Sequence, residues 1–393
     1  MIRFLLALLL CLGVAAPAAA QLPAIFPAGS QVQDLWYPKV FWTSRNGFTA
    51  GGFYAIIVKH TYETFDQPPP YQAAIQLDGQ ISASGSRQIS LDAFAPALVD
   101  GWRLRLTFRA QRRNRAGYFG LGNESVFNDA NTQIDPLFYR IRHMRSVARG
   151  EIQRRVIGGL RVLAGFHAER WRLEPLSSTS KLALDDAAGV DPTIGRSVGD
   201  LSARVGLVFD ARDDESAPRH GVLIEAIHTW GEADGESYTR TMVSARGYLP
   251  LTNRFAVSAR VAGQRMGGTP RIGSLYLLEA GDKPIRGLGG PGSHRALVRD
   301  RLLGRHKLLS NLDVIFTLFE IPTLIRLKLV GFLDAARVFD GPDDGDFKLT
   351  TDDLRVGGGG GLLLHLFRNA ILGLTGGAGP DGFVMHAYTS WPY

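Results

Sequence analysis

WRLRLTFRAQ, residues 102–111, splits into two rows: Trp102, Leu104, Leu106, Phe108 and Ala110 alternate with Arg103, Arg105, Thr107, Arg109 and Gln111. A period of two places the rows on opposite faces of a β-strand. Arginine at every second position does not fit the core of a soluble sandwich. It does fit a wide barrel whose outer row faces lipid and whose inner row faces a polar lumen. The pattern returns between Arg254 and Gln264, where Phe255, Val257, Ala259 and Val261 oppose Arg254, Ser258, Arg260 and Gln264. A soluble all-β protein with one wet face is the competing reading.

Composition and punctuation extend the barrel reading along the chain. Hydrophobic residues make up 45% of the 393 positions, and 46 glycines with 10% aromatics suit many short strands joined by tight turns. After the N-terminal segment, no stretch approaches the roughly 18 apolar residues of a membrane helix. Arg3, the apolar run Phe4 to Ala16 and Ala18-Ala19-Ala20 before Gln21 read as a secretory signal with an A-x-A cleavage site, residues 1–20. Cys11, the single cysteine, lies inside that signal, so the exported chain offers neither disulfides nor thiolate metal sites. The net charge of +7 is spread along strands and forms no run, which assigns it to a lumen lining and gives no support to nucleic-acid binding.

Alternation and turn residues predict strands near 36–45, 48–60, 71–83, 88–98, 101–114, 136–149, 151–158 and 160–174. A second set falls near 201–213, 220–232, 237–250, 253–266, 306–319, 324–339, 353–367 and 370–393, the last as a hairpin. About sixteen strands use up the length in one all-β, transmembrane antiparallel barrel over 36–393, with 21–35 as a short periplasmic linker. The interval near 267–305 remains as a long loop folded into the lumen. Five successive glycines, Gly357 to Gly361, predict a thin strand against which the loop or a neighbour packs closely.

Within that loop stands KPIRGLGGPG (283–292), followed by SNLDVIFTLFEIP and LVGFLDAARVFD. Ile285-Arg286-Gly287 in a loop, with Asp313 and Asp334 on later strands, resembles the loop motif of the BamA/TamA superfamily of outer-membrane assembly and secretion proteins. Tyr118-Phe119-Gly120-Leu121-Gly122-Asn123 is similar to the aromatic-G-x-G-N turn of these barrels. Asp210, Arg212, Pro218 and Gly221 match their D-x-R…P-x-x-G hairpin. The resemblance covers the barrel only: Gln21 to about Asp34 is too short for the POTRA domains that usually precede it. The family has an aromatic where Leu288 stands, which puts the tightness of the loop's anchoring in question.

Strand phase tests the motif independently. Asp334 shares a face with Arg326 and Lys328, and Asp313 shares one with Asn311 and Thr317, both opposite apolar rows. Both carboxylates therefore point into the lumen, where the planar fork of Arg286 is expected to bind them and pin the loop. Gly287, Gly289 and Gly292 also satisfy G-x-G-x-x-G, but Pro291 and the missing helical period exclude a dinucleotide turn. At the C-terminus, Phe383, Met385, Ala387, Thr389, Trp391 and Tyr393 share one face. The resemblance implies that the terminal aromatics Trp391 and Tyr393 serve as a membrane-insertion signal. Trp36, Trp42, Trp102, Trp171 and Trp230 are candidates for interfacial girdles.

No G-x-S-x-G elbow or H-E-x-x-H helix appears, so no enzymatic activity, cofactor or metal is expected. The resemblance implies protein translocation or outer-membrane protein assembly in the outer membrane of a Gram-negative bacterium. Its expected partners are outer-membrane lipids, a client polypeptide and a separate periplasmic delivery protein. A passive, anion-favouring channel and a structural barrel that encloses or anchors a partner protein are the alternatives.

Overall fold

A computed structural model describes residues 31–43, 46–60, 68–281, 284–321, 324–339, 347, 350–366 and 370–388. The strands are β1 (Val32–Thr43), β2 (Gly47–Val58), β3 (Ala73–Ser82), β4 (Arg87–Val99), β5 (Trp102–Gly117), β6 (Arg140–Ile157), β7 (Leu160–Pro175), β8 (Ser197–Asp210), β9 (Gly221–Ala233), β10 (Glu236–Pro250) and β11 (Phe255–Gly268). Two short strands follow, β12 (Leu277–Leu278) and β13 (Ile285–Arg286). The wall then resumes with β14 (His306–Ile321), β15 (Ile325–Phe339), β16 (Arg355–Leu366), β17 (Ala370–Gly379) and β18 (Gly382–Tyr388). Sixteen strands form one antiparallel sheet in chain order, while β12 and β13 pair only with each other. Among the described residues the ladder ends at β1 and β18, which do not pair with one another.

One strand division differs from the expectation: segments 136–149 and 151–158 are one strand, β6, while the terminal segment is the expected hairpin, β17 and β18. Gly150 reads as a break in sequence, but in β6 it pairs directly with Phe166 of β7, whose ring lies where a Gly150 side chain would stand. The glycine admits a ring and leaves the ladder intact. β1 also starts at Val32, inside the expected linker 21–35.

Register fixes the two faces. Directly paired residues share a face, so Arg105, Glu151, Gly165, Arg204, Thr229 and Arg240 form one continuous row across β5 to β10. The opposite face carries Trp102, Leu104, Phe108, Ile152, Val162, Phe166, Leu201, Val205 and Leu207, exposed as a lipid-facing surface requires. Trp36, Trp42, Trp102 and Trp230 are exposed on it. Trp171 is not: it is 1% exposed on the inner face, with its ring against Gly273.

Alternate connections fall on opposite rims. One rim carries the long segments 118–139, 176–196 and 269–305, the first with helix α1 (Asp129–Ile134) and the second with α2 (Lys181–Ala187). At the other rim the β8–β9 hairpin reaches back to β5 and to the segment before β3. There Glu215 accepts two bonds of 2.6 Å from the Arg103 fork and its amide donates to Pro68 O at 3.0 Å. The buried apolar core lies between the inner face and the segment 269–305, in clusters such as Leu163, Val208, Leu223, Met242, Leu278, Leu288 and Leu297. Residues on β5 through β18 all touch this one segment, so the sheet must curl around it.

Candidate functional site: an inward loop and its ionic clasps

The segment 269–305 runs into the curled sheet because its apolar residues bury there and its charged residues meet opposite charges on the wall. Ile272, Leu275, Tyr276 and Leu277 are buried, and Glu279 is the single charged residue between Ile272 and Gly281. Three wall guanidiniums surround it: Arg204 at 2.7 Å, Arg149 at 3.0 Å and Arg240 at 3.6 Å. Arg204 is balanced on its other side by Glu151 at 2.5 Å. Gln264 of β11 holds the adjoining backbone through bonds to Glu279 N and Leu277 O, both 2.9 Å. Every partner in this first clasp is buried, so each charge depends on the others for solvation.

The second clasp has the reverse sign. Asp313 and Asp334 face inward on β14 and β15 and meet at one guanidinium, which is that of Arg295. Arg295 donates to Asp334 from its amide at 2.7 Å, from Nε at 2.9 Å and from Nη2 at 2.7 Å, and reaches Asp313 at 2.5 Å. Asn311 adds a bond to Asp334 at 2.7 Å and one to Ser293 O at 2.6 Å, and Arg260 donates to both Asn311 and Gly292 O. The Arg295 guanidinium lies 4.1 Å from the centre of the Phe332 ring.

Arg286 therefore does not occupy the place its motif suggested. β13 is held against β12 by the Leu277–Arg286 and Leu278–Ile285 pairs, on the side of the bore nearest β7. Arg286 there donates to Glu169 at 3.0 Å, a carboxylate that also holds Arg145 and His167. Gly287, Gly289 and Gly290, at φ of +66°, +111° and +103°, then turn the chain across the bore and deliver Arg295, nine positions later, to the acidic pair. A Cβ on Gly287 would stand 2.8 Å from the Asp300 backbone, so no side chain fits there. Leu288, in the aromatic's place, is fully buried and bridges to Leu302.

The glycine strand supplies the floor beneath the second clasp. A Cβ on Gly357 would stand 2.5 Å from the Ala296 side chain, one on Gly379 2.7 Å from Ala296 O, and one on Gly377 2.9 Å from the Phe332 ring. Absence of side chains on β16 and β17 lets Ala296 and Phe332 lie flat on the wall. His386 reaches Leu297 O at 3.2 Å from β18, so the loop touches even the last strand.

The two turn motifs sit at opposite rims. Gly120 and Gly122 adopt φ of +97° and +83°. Gly122 donates to Leu303 O at 2.8 Å, and Asn123 bonds Asp353 O at 2.9 Å, joining the loop's exit to the segment before β16. Tyr118 donates to Asp185 of α2 at 2.7 Å. At the far rim Arg212 forks onto Asp210 with two 2.9 Å bonds, Pro218 is buried, and Gly221, at φ of +106°, passes so close to Ala211 O that no Cβ would fit. Trp391 and Tyr393 lie outside the described residues.

A model of the Omp85 superfamily domain matches residues 73–366, from the start of β3 to the end of β16. The chain belongs to the Omp85 superfamily. Two solved structures share its architecture. BamA from Haemophilus ducreyi lacking POTRA domains 1-3 aligns with a TM-score of 0.53 at 13% identity, over 92% of this chain and 70% of that one. CdiB from Escherichia coli aligns with a TM-score of 0.54 at 12% identity, over 92% and 62% respectively. At these identities the likeness is one of fold. No functionally curated protein is significantly similar to the chain. As an Omp85 barrel, the protein resides in the outer membrane of a Gram-negative bacterium.

Proposed function

We propose that this Omp85 barrel acts in translocation or assembly of polypeptides at the outer membrane, with the loop 269–305 as a plug held by the Arg295 clasp. The buried convergence of Arg295 with Asp313 and Asp334, the latter also held by Asn311, carries the reading, since a passive pore has no need of a triply bonded guanidinium inside its bore. Among the described residues β1 and β18 end the ladder, and their edges offer backbone groups where an entering strand could add. A client polypeptide and a delivery protein on the periplasmic side are its partners in this scheme, and residues 1–20 serve as its export signal. The Omp85 relationship argues for transport and against catalysis.

A passive, anion-favouring channel is supported by one observation. The inner face of β1 to β4, and of β5 short of Arg113, is not covered by the loop: Leu35, Tyr37 and Phe41 are 43%, 44% and 40% exposed there. Lys39, Arg103, Arg105 and Arg109 outnumber Asp78 and Asp92 on that face. Single-channel recording separates the two readings. A plugged assembly barrel gives small, flickering steps, whereas a large, steady, anion-selective conductance from the native protein would establish the channel.

A further inference from the structure

The outer face of β4 to β7 carries a charge arrangement that the bore does not explain. At the rim of the long segments, Arg87, Arg112, Arg142, Arg170 and Arg172 all point outward on four adjacent strands. A single carboxylate, Glu174, accompanies them, bonded to Arg142 at 2.9 Å and Arg172 at 2.7 Å. Arg87 stands directly opposite Arg112 in the ladder, a like-charge pairing that destabilises a sheet unless something anionic lies over it. Arg87, Arg170 and Arg172 are exposed.

Their height relative to the membrane is fixed by the strands themselves. The outward row of β5 is apolar from Trp102 to Ala110 and turns basic at Arg112. Nine residues of tilted strand span about 25 Å, the thickness of a barrel's apolar band. The arginines therefore begin where the hydrocarbon ends. Long connections mark the outer side of such barrels, which puts the cluster at the headgroups of the outer leaflet. Directly below it, Ser146, Ala148, Ala168 and Gly199 leave a shallow outward groove of about 580 Å³, with Arg170 on its lining and Glu232 also among its residues.

We propose that this face is a docking site for a phosphorylated lipid of the outer leaflet, with its phosphates in the arginine cluster and one acyl chain along the small-residue groove. Guanidinium forks suit phosphate oxygens, and an excess of four cations over the one carboxylate suits a headgroup with more than one phosphate. The proposal depends on the barrel spanning the outer membrane and is independent of what the loop does.

The test measures binding of bisphosphorylated and dephosphorylated lipid A to the folded full-length mature protein by native mass spectrometry from detergent. Wild type should retain the phosphorylated lipid at least about tenfold better than the dephosphorylated one. Arg170→Gln with Arg172→Gln should remove most of that preference while leaving heat-modifiable migration unchanged. Millimolar inorganic phosphate should not displace the lipid. Equal retention of the two lipids by wild type, a preference unchanged by the substitutions, or displacement by inorganic phosphate alone would each overturn the proposal. The lipid comparison on wild type needs no variant to fold.

Discussion

Arg295→Ala will open the bore. The substitution takes from Asp313 and Asp334, 2% and 0% exposed, the guanidinium that bridges them, and removing one partner of such a buried set costs about 3–5 kcal/mol. Much of that cost is relieved if the loop lifts and water enters, so the expected outcome is larger and longer conductance steps in planar bilayers and faster protease cleavage within 284–305. Arg286→Ala will do much less, because Glu169 keeps Arg145 at 3.1 Å and His167 at 3.0 Å. Arg295→Lys should fall between them: it restores charge as a point but not the fork that reaches both carboxylates. Equal effects of the Arg286 and Arg295 substitutions would refute the assignment of the clasp to Arg295.

Glu279→Ala will loosen the opposite end of the loop by a comparable amount. Arg149 and Arg204 would then share Glu151 and Arg240 would lose the carboxylate it faces, again a loss of about 3–5 kcal/mol, read as a lower urea midpoint for the folded barrel. The two clasps differ in sign, and that separates them in one experiment. Losing Glu279 makes the bore more positive and should shift the reversal potential toward anions. Losing Arg295 makes it more negative and should shift it toward cations. Shifts in the same direction would show that the conducting path avoids one of the clasps.

Where side-chain period decided the structure, the chain was readable. Alternation in WRLRLTFRAQ assigns inner and outer rows that the register reproduces from β5 to β11, and the phase of Asp313 and Asp334 places both on the inner face. The glycine run reads as a bare floor because only close packing explains five successive missing side chains. The loop was a different problem: between β13 and β14 the backbone follows no period, so nothing in sequence spacing says which wall strand a residue meets. Arg286 drew attention because it sits in a motif, while Arg295, in GSHRAL, sits in none. Its signal was indirect, an arginine followed by the small Ala296 and, within seventy positions, by a strand that carries five successive glycines. Glu279 was missed although its signal was local, the single charged residue between Ile272 and Gly281. Trp171 went astray because an aromatic suits both a lipid interface and a packed lumen, and only the Gly273 contact decides between them.

Assembly activity is the claim on which the rest depends. Proteoliposomes carrying the native barrel, supplied with an unfolded outer-membrane β-barrel client and a periplasmic chaperone, report it directly through the appearance of heat-modifiable, protease-resistant client. The account predicts client insertion well above that of empty liposomes, with a large loss in the Arg295→Ala protein reconstituted at equal density. Insertion at the empty-liposome rate, from vesicles whose native barrel conducts large steady anion currents, would contradict it.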